Sequence, residues 1–504
     1  MQKIGIITLL IFIIVLPIAL KETSQHQVST KGNGLIIITA HNEQIRFEIT
    51  QAYRKYRAKN NLKPIQIDWR TSGSASQWRR QIIKQFKKAH AQNTLDQGIG
   101  VDLFFGGGNY QHNKLAQGFK ITNQKKTTQI RILQPINLSQ QQLLEIFPQE
   151  KIGNNRLYHP KKLWAGIVLS SFGIVYNKDV IKALHCPPPT TWRHLTNPKY
   201  QNWIALADPA LSGSTNATYN TILQRKGWTQ GWIILQEMMA NARYFTTSST
   251  KIPLSVTSAN AAAGMCIDFY GRFQESNTPD QRIQFISPHQ LTNITPDPVS
   301  ILRGAPHQKN AQDFVAWLLS KQGQLLWQKK RHTRHGPEKF ELRRLPIRQD
   351  LYAHTKNWTD PHNPFTDAKA LPPYAGNFFI IIPHIAHAMA IDTHQQLKQA
   401  WDAILKQKNK KVKAKMKQRL HRLPPELTLK WPPSIAPSQS YAILQNPQHP
   451  QYPLAKKTIY QFYQKLNQIS QSPAQLARKQ AQWTQFFIQN YNAVRQIPKN
   501  YLPQ

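Results

Sequence analysis

Trp-Ile-Ala-Leu-Ala-Asp-Pro-Ala-Leu-Ser-Gly-Ser-Thr-Asn, residues 203 to 216, runs from a short apolar stretch through a turn into a segment with helical spacing. The same order occurs upstream, where Ile-Gln-Ile-Asp-Trp-Arg (65 to 70) leads into Thr-Ser-Gly-Ser-Ala-Ser (71 to 76) and then into Gln-Trp-Arg-Arg-Gln-Ile-Ile-Lys-Gln-Phe. A strand that ends in a small polar turn and opens a helix is the repeating unit of an α/β protein with parallel strands. Two Ser-Gly-Ser turns at such junctions decide how the rest of the chain is read.

Further units surround these two. Leu-Ile-Ile-Ile-Thr-Ala (35 to 40) is a β-branched run that predicts a buried strand, and Ile45, Ile49 and Tyr53 then recur on one face of a helix. Ser74 and Gln77 have the spacing of a capping box at the start of the next helix. Val-Asp-Leu-Phe-Phe (101 to 105) predicts a third strand that ends at Gly106-Gly107-Gly108. The pattern restarts between about 160 and 285, with strands expected at 164 to 176, 204 to 207 and 263 to 269. A helix expected from Asn310 to Gln328 carries Phe314, Trp317 and Leu318, and the core-forming part is expected to close near residue 350.

The chain has 504 residues, 40% of them apolar, which is ample for more than one lobe. Its 65 Lys and Arg against 24 Asp and Glu give a formal charge of +41, which attracts anionic partners. The charge is spread along the chain without a nucleic-acid recognition motif, so no nucleic-acid partner is assigned. Ile4 to Leu20 is an uncharged apolar run after Met-Gln-Lys, which is the order of parts in an export signal. No Ala-x-Ala site follows and no cysteine stands there to take a lipid, so residues 1 to 25 are read as a signal peptide or an uncleaved membrane anchor. Cys186 and Cys266 allow one disulfide or two separate buried thiols.

A helix start leaves backbone N–H groups unpaired and carries partial positive charge. Glycine lets a ligand approach such a start, and Ser or Thr adds hydroxyl donors, so the two Ser-Gly-Ser turns are candidate anion sites. Helix capping is the plain alternative for the same serines. Gly106 to Gly108 lacks the Lys-Ser of a P-loop. The histidine pairs His332 with His335 and His384 with His387 lack the Glu of a zinc helix, and no serine stands in a nucleophile elbow. No catalytic residue, metal or cofactor is assigned, and the chain is read as a binding protein rather than an enzyme.

These residues, in their order, resemble a known family. The marks are Leu-Ile-Ile-Ile-Thr-Ala-His (35 to 41), Val-Asp-Leu-Phe-Phe-Gly-Gly-Gly (101 to 108), Ser-Ser-Phe-Gly-Ile-Val-Tyr-Asn-Lys-Asp (170 to 179), and Pro-Thr-Thr-Trp-Arg-His-Leu around Trp192. Ala-Leu-Ala-Asp-Pro-Ala-Leu-Ser-Gly-Ser (205 to 214), Met-Cys-Ile-Asp-Phe-Tyr (265 to 270) and the segment 304 to 324 complete the series. Together they resemble the bacterial extracellular solute-binding proteins of ABC transporters, in the branch of iron(III), phosphonate, sugar-phosphate and thiamine binders.

The resemblance implies an α/β Venus flytrap of the type II periplasmic-binding fold over residues 34 to 350. Lobe one is expected at about 34 to 107 and 285 to 350, and lobe two at 108 to 284, with the first crossing at the Gly106 to Gly108 run. A basic, partly helical extension fills 351 to 504. The implied ligand-binding residues are His41, Thr71, Ser72, Gly73, Ser74, Gly107 and Gly108 on one side, and Ser170, Ser212, Gly213, Ser214, Asp268 and Tyr270 on the other. Asp268 is expected to face a cationic or hydroxylated part of the ligand. The implied partners are a small anionic ligand and an ABC permease, in a periplasmic or extracytoplasmic location. Ferric iron is the alternative within the family, although Phe269-Tyr270 stands where iron binders carry two adjacent tyrosines.

Two readings of another class stay beside it, a secreted hydrolase and a basic, membrane-associated adaptor. The second rests on residues 405 to 422, with nine Lys or Arg and no acid, and on the absence of any side-chain carboxylate after Glu426. It predicts surface contact through the N-terminal segment and the tail. It also predicts that deleting 405 to 504 leaves small-molecule binding intact.

Overall fold

Alternation along the first strand sets the first lobe. In Gly34–Thr39 every residue is buried, and successive isoleucines point to opposite faces. Leu35 and Ile37 enter a core with Ile45, Ile49, Tyr53, Phe314 and Trp317, whereas Ile36 and Ile38 enter another with Trp78, Ile82 and Phe86. In this computed structural model, which describes residues 33–123, 126–368 and 376–498, the strand pairs in parallel with Gln66–Arg70 on one side and Leu103–Phe105 on the other. The sheet continues in antiparallel register through Thr295–Leu302, Ala165–Ser170 and Leu345–Pro346. The N-terminal run read as a signal or anchor lies outside the described residues.

The second sheet has the order Ala242–Thr246, Ile204–Ala207, Ala263–Ile267, Phe172–Asn177 and Ile283–Ile286. The chain therefore crosses between sheets at Ser171, where Ala165–Ser170 ends in the first and Phe172–Asn177 begins in the second. It returns between Ile286 and Thr295. This moves the first crossing from the expected Gly106 to Gly108. Those three glycines all have left-handed φ values, 83°, 91° and 77°, and they turn the chain from Leu103–Phe105 directly into the helix Gly108–Gln117. Residues 108 to 170 thus stay with lobe one.

The tail was expected to lie beyond the core, and it does not. Trp228, Trp232 and Met238 of lobe two share one apolar cluster with Trp401, Met416, Trp483, Phe487 and Tyr491. Polar groups tie the same contact: Trp228 Nε1 donates to the Leu427 carbonyl (2.7 Å) and Trp401 Nε1 to Asn241 Oδ1 (2.8 Å). Gln236 Nε2 donates to the Leu420 carbonyl and to Tyr491 Oη, each at 3.0 Å. The helices His394–Lys406, Lys410–Leu420, Tyr452–Ile469 and Pro473–Gln496 are amphipathic, and their apolar stripes meet the lobe-two helix Trp228–Ala240. Cys186 and Cys266 are separate free thiols, both buried.

Candidate ligand-binding cleft

The two serine-rich turns face one cavity of about 570 Å³ between the lobes. Its lobe-one wall includes His41, Gly73, Ser74, Gly107 and Gly108, and its lobe-two wall includes Ser212, Gly213 and Ser214, with Ser170 and Tyr270 at the crossing. Thr71, Ser72 and Asp268 do not line it.

A serine caps the helix at each turn, Ser74 at the end of its Ser-Gly-Ser motif and Ser212 at the start of its own. Ser74 Oγ accepts from the Gln77 N–H (3.4 Å) while Gln77 Oε1 accepts from the Ser74 N–H (2.7 Å), which completes a capping box on the helix Ala75–Ala91. Ser212 Oγ accepts from the N–H of Thr215 (3.3 Å) and from its hydroxyl (3.1 Å), at the start of the helix Gly213–Lys226. The capping reading is therefore correct for both serines. It coexists with a place on the cavity wall, where the first-turn N–H groups and the Ser76 and Ser214 side chains stand.

Arg80 is the residue that sequence reading passed over on this wall. It lies one helical turn beyond Ser76, so the four-residue spacing contained the signal. The side chain is exposed, and no ion pair or hydrogen bond engages it among the described residues. Tyr110, Ser248 to Thr250 and Phe379 also line the cavity and had no local motif to mark them.

The floor is a buried ion network. Arg344 is fully buried, and its guanidinium donates to Asp297 Oδ2 (2.8 Å) and to Ser170 Oγ and lies 4.4 Å from the centre of the Phe269 ring. His41 Nε2 is 3.0 Å from Asp297 Oδ2 and 3.1 Å from Arg344, and its Nδ1 is 3.0 Å from Thr39 Oγ1. Burial pushes the His41 pKa down, so the ring is neutral at pH 7. Burial pushes the Asp297 carboxyl up, but the Arg344 charge and the His41 contact outweigh it and hold the group well below the usual carboxylate range. Asp297 Oδ1 also accepts from the Gly108 N–H (3.2 Å), so this helix start already faces an internal carboxylate. His41 and Gly108 are thus engaged with the floor. Asp297 is the one acidic residue on the wall among the described residues, and Arg344 neutralises it.

Asp268 was expected to face the ligand. Its carboxylate instead accepts from the Ser171 N–H (2.7 Å) and hydroxyl (3.2 Å) and from the Phe269 N–H (2.8 Å), which fixes the crossing between lobes. Burial raises the Asp268 pKa, and burial also pushes the Tyr270 phenol up to about 12. Among the described residues no group of three or more His, Cys, Asp or Glu side chains is arranged to hold a metal.

Residues 115–339 match the family model described as bacterial extracellular solute-binding protein. This segment is similar to bacterial extracellular solute-binding domains. The domain's curated relatives include the phosphoglycerate transport regulatory protein PgtC of Salmonella typhimurium, 29% identical over 158 residues, which are 31% of this chain and 39% of that one. An uncharacterized protein of Haemophilus influenzae is 31% identical over 140 residues, 28% of this chain and 40% of that one. The chain thus spans about two fifths of the length of the curated relatives it matches. Among solved structures, the periplasmic binding protein AfuA of Actinobacillus pleuropneumoniae, with fructose-6-phosphate bound, superposes with a TM-score of 0.49 at 18% identity, covering 73% of this chain and 98% of its own. Iron-bound HitA of Pseudomonas aeruginosa superposes at 0.47 and 16% identity, covering 68% and 93%. No helix among the described residues is long and apolar enough to cross a membrane.

Proposed function

We propose that the protein is an extracytoplasmic solute-binding protein that takes a small anionic solute, bearing phosphate, phosphonate or carboxylate, between its lobes and hands it to an ABC permease. The observation that carries this reading is the charge balance of the cleft. Among the described residues, two helix starts and the unpaired Arg80 face the cavity, while its single carboxylate, Asp297, is neutralised by Arg344. An anion entering such a space gains charge-assisted hydrogen bonds and meets no opposing acid. The solute-binding family supports an extracytoplasmic location. The Salmonella relative is named for phosphoglycerate transport regulation, so phosphoglycerate is the first compound to try.

The test is a thermal-shift panel on the purified protein with phosphoglycerate, inorganic phosphate, simple phosphonates and ferric salts. A concentration-dependent rise in Tm with one of the phosphorus compounds supports the reading, because a ligand that binds the native state alone stabilises it. A rise with ferric salts and none with the anions replaces it with the iron alternative.

A further inference from the structure

The cleft has a third contributor besides the two lobes. Residues 376 to 381 of the C-terminal module run along the helix Gly213–Lys226, held by amides at four-residue spacing. Asn216 Nδ2 donates to the Phe379 carbonyl (2.8 Å), Asn220 Oδ1 accepts from the Phe378 N–H (2.9 Å), and Gln224 Nε2 donates to the Gly376 carbonyl (2.7 Å). Phe378 is buried in the lobe-two core. The next side chain, Phe379, leaves that lobe and stacks on Tyr110 of the lobe-one helix Gly108–Gln117, with centroids 4.5 Å apart and planes at 26°.

Both rings line the ligand cavity, and both also line a second cavity of about 260 Å³ bounded by Lys114, Leu466 and Ser470. The ring pair is therefore a partition between two spaces. On its far side the Lys114 ammonium lies 5.8 Å from the centre of the Tyr110 ring.

We propose that Phe379 is a positioning residue of the binding cleft: its stack on Tyr110 latches lobe one to the C-terminal module and biases the domain toward the closed arrangement. The strap is fixed to the same helix whose start carries Gly213 and Ser214, so closing the latch also brings that helix start toward lobe one. An aromatic pair of this kind contributes enough to change a closing equilibrium by about three- to tenfold. The effect on affinity rests on the cleft being the ligand site, whereas the effect on lobe separation does not.

The test therefore has two arms. Spin labels at Lys63→Cys in lobe one and Lys182→Cys in lobe two report the interlobe distance in the ligand-free full chain; both positions are exposed, and the native cysteines are buried. The expected result is that Phe379→Ala broadens the distribution toward longer distances, Phe379→Tyr restores it, Tyr110→Ala reproduces the alanine effect, and the double variant adds nothing further. An unchanged distribution in Phe379→Ala overturns the latch, as does a change that Tyr110→Ala fails to share. Circular dichroism checks folding, and if Phe379→Ala unfolds, Tyr110→Ala decides the matter from the lobe-one side. In the second arm, titration with phosphoglycerate and inorganic phosphate should show binding about three- to tenfold weaker in Phe379→Ala than in the parent. Equal affinity in the two overturns the latch. If the parent binds neither compound, the anion reading falls and the distance arm alone decides.

Discussion

At the scale of single residues the cleft separates groups that hold it together from groups that face its contents. Ser212 belongs to the first kind, so Ser212→Ala should cost about 1 kcal/mol of stability, the usual loss of a helix cap. Denaturant titration measures that loss. Arg80 belongs to the second kind, because no ion pair or hydrogen bond among the described residues engages it. Arg80→Gln should leave the Tm of the empty protein within about a degree and weaken anion binding by roughly tenfold, the worth of one hydrogen bond to a charged group. A lowered Tm with unchanged affinity would make Arg80 a surface residue only. Arg344 is different again. Arg344→Leu strands the buried Asp297 charge and should cost about 3–5 kcal/mol at pH 7. Asp297 has a depressed pKa, so the stability it contributes is present above about pH 4 and is lost as the pH falls through its folded value. In the variant the stranded Asp297 carboxyl lacks its cation and takes up a proton more readily, which relieves the buried charge, so the gap from the parent should narrow on acidification, as read from unfolding curves between pH 7 and pH 3.

At the scale of elements the cleft depends on what the C-terminal module does to the turn before the helix Gly213–Lys226. His387 Nε2 lies 3.0 Å from Asp208 Oδ2, and its Nδ1 lies 2.9 Å from Asp392 Oδ1. Asp208 in turn accepts from the Ala210 N–H (2.7 Å), so the ring braces the Asp-Pro-Ala-Leu turn against the module. The hydrogen bond to Asp208 raises the His387 pKa to about 9, with Asp392 adding to it and burial opposing it. A raised histidine pKa means stability that is fully present below about pH 6.5 and lost as the pH climbs through 9. The parent should therefore lose about 1–2 kcal/mol between pH 6.5 and pH 9, allowing for solvent screening of a partly exposed ring. His387→Gln should flatten that slope, and a parallel slope in the variant would remove His387 as the cause.

At the scale of the whole molecule the second lobe and the tail fold as one body. Met416, Trp483 and Phe487 fill the same core as Trp228 and Trp232, so deleting residues 405 to 504 removes part of lobe two rather than an appendage. The adaptor reading expects intact small-molecule binding after that deletion, and the shared core leads to the opposite expectation. The truncated chain should lose its near-ultraviolet circular dichroism and a cooperative thermal transition, because several buried aromatic side chains would be exposed at a cost of roughly 3–5 kcal/mol each. A soluble, cooperatively melting truncation would show that lobe two closes without the module.

The sequence by itself determined what is local. The strand-to-helix units, the capping box at Ser74 and Gln77, the Ser212 helix start and the candidate residues of the two turns follow from spacing and residue type, because capping and amphipathic periodicity act within a few residues. The tertiary structure alone decided which of these units belong to which lobe. Gly106 to Gly108 read as a crossing because a glycine run marks a turn without saying where the turn leads, and only the pairing of Ala165–Ser170 with Thr295–Leu302 assigns that segment. Arg344 and His41 are 303 residues apart, and their contact with Asp297 rests on strands meeting at the floor of the cleft. Phe379 reached the cavity for the same reason. Burying the apolar stripes of the C-terminal helices on lobe two carries its neighbouring backbone onto the Gly213–Lys226 helix, and no local pattern encodes a contact that arises from packing between distant segments.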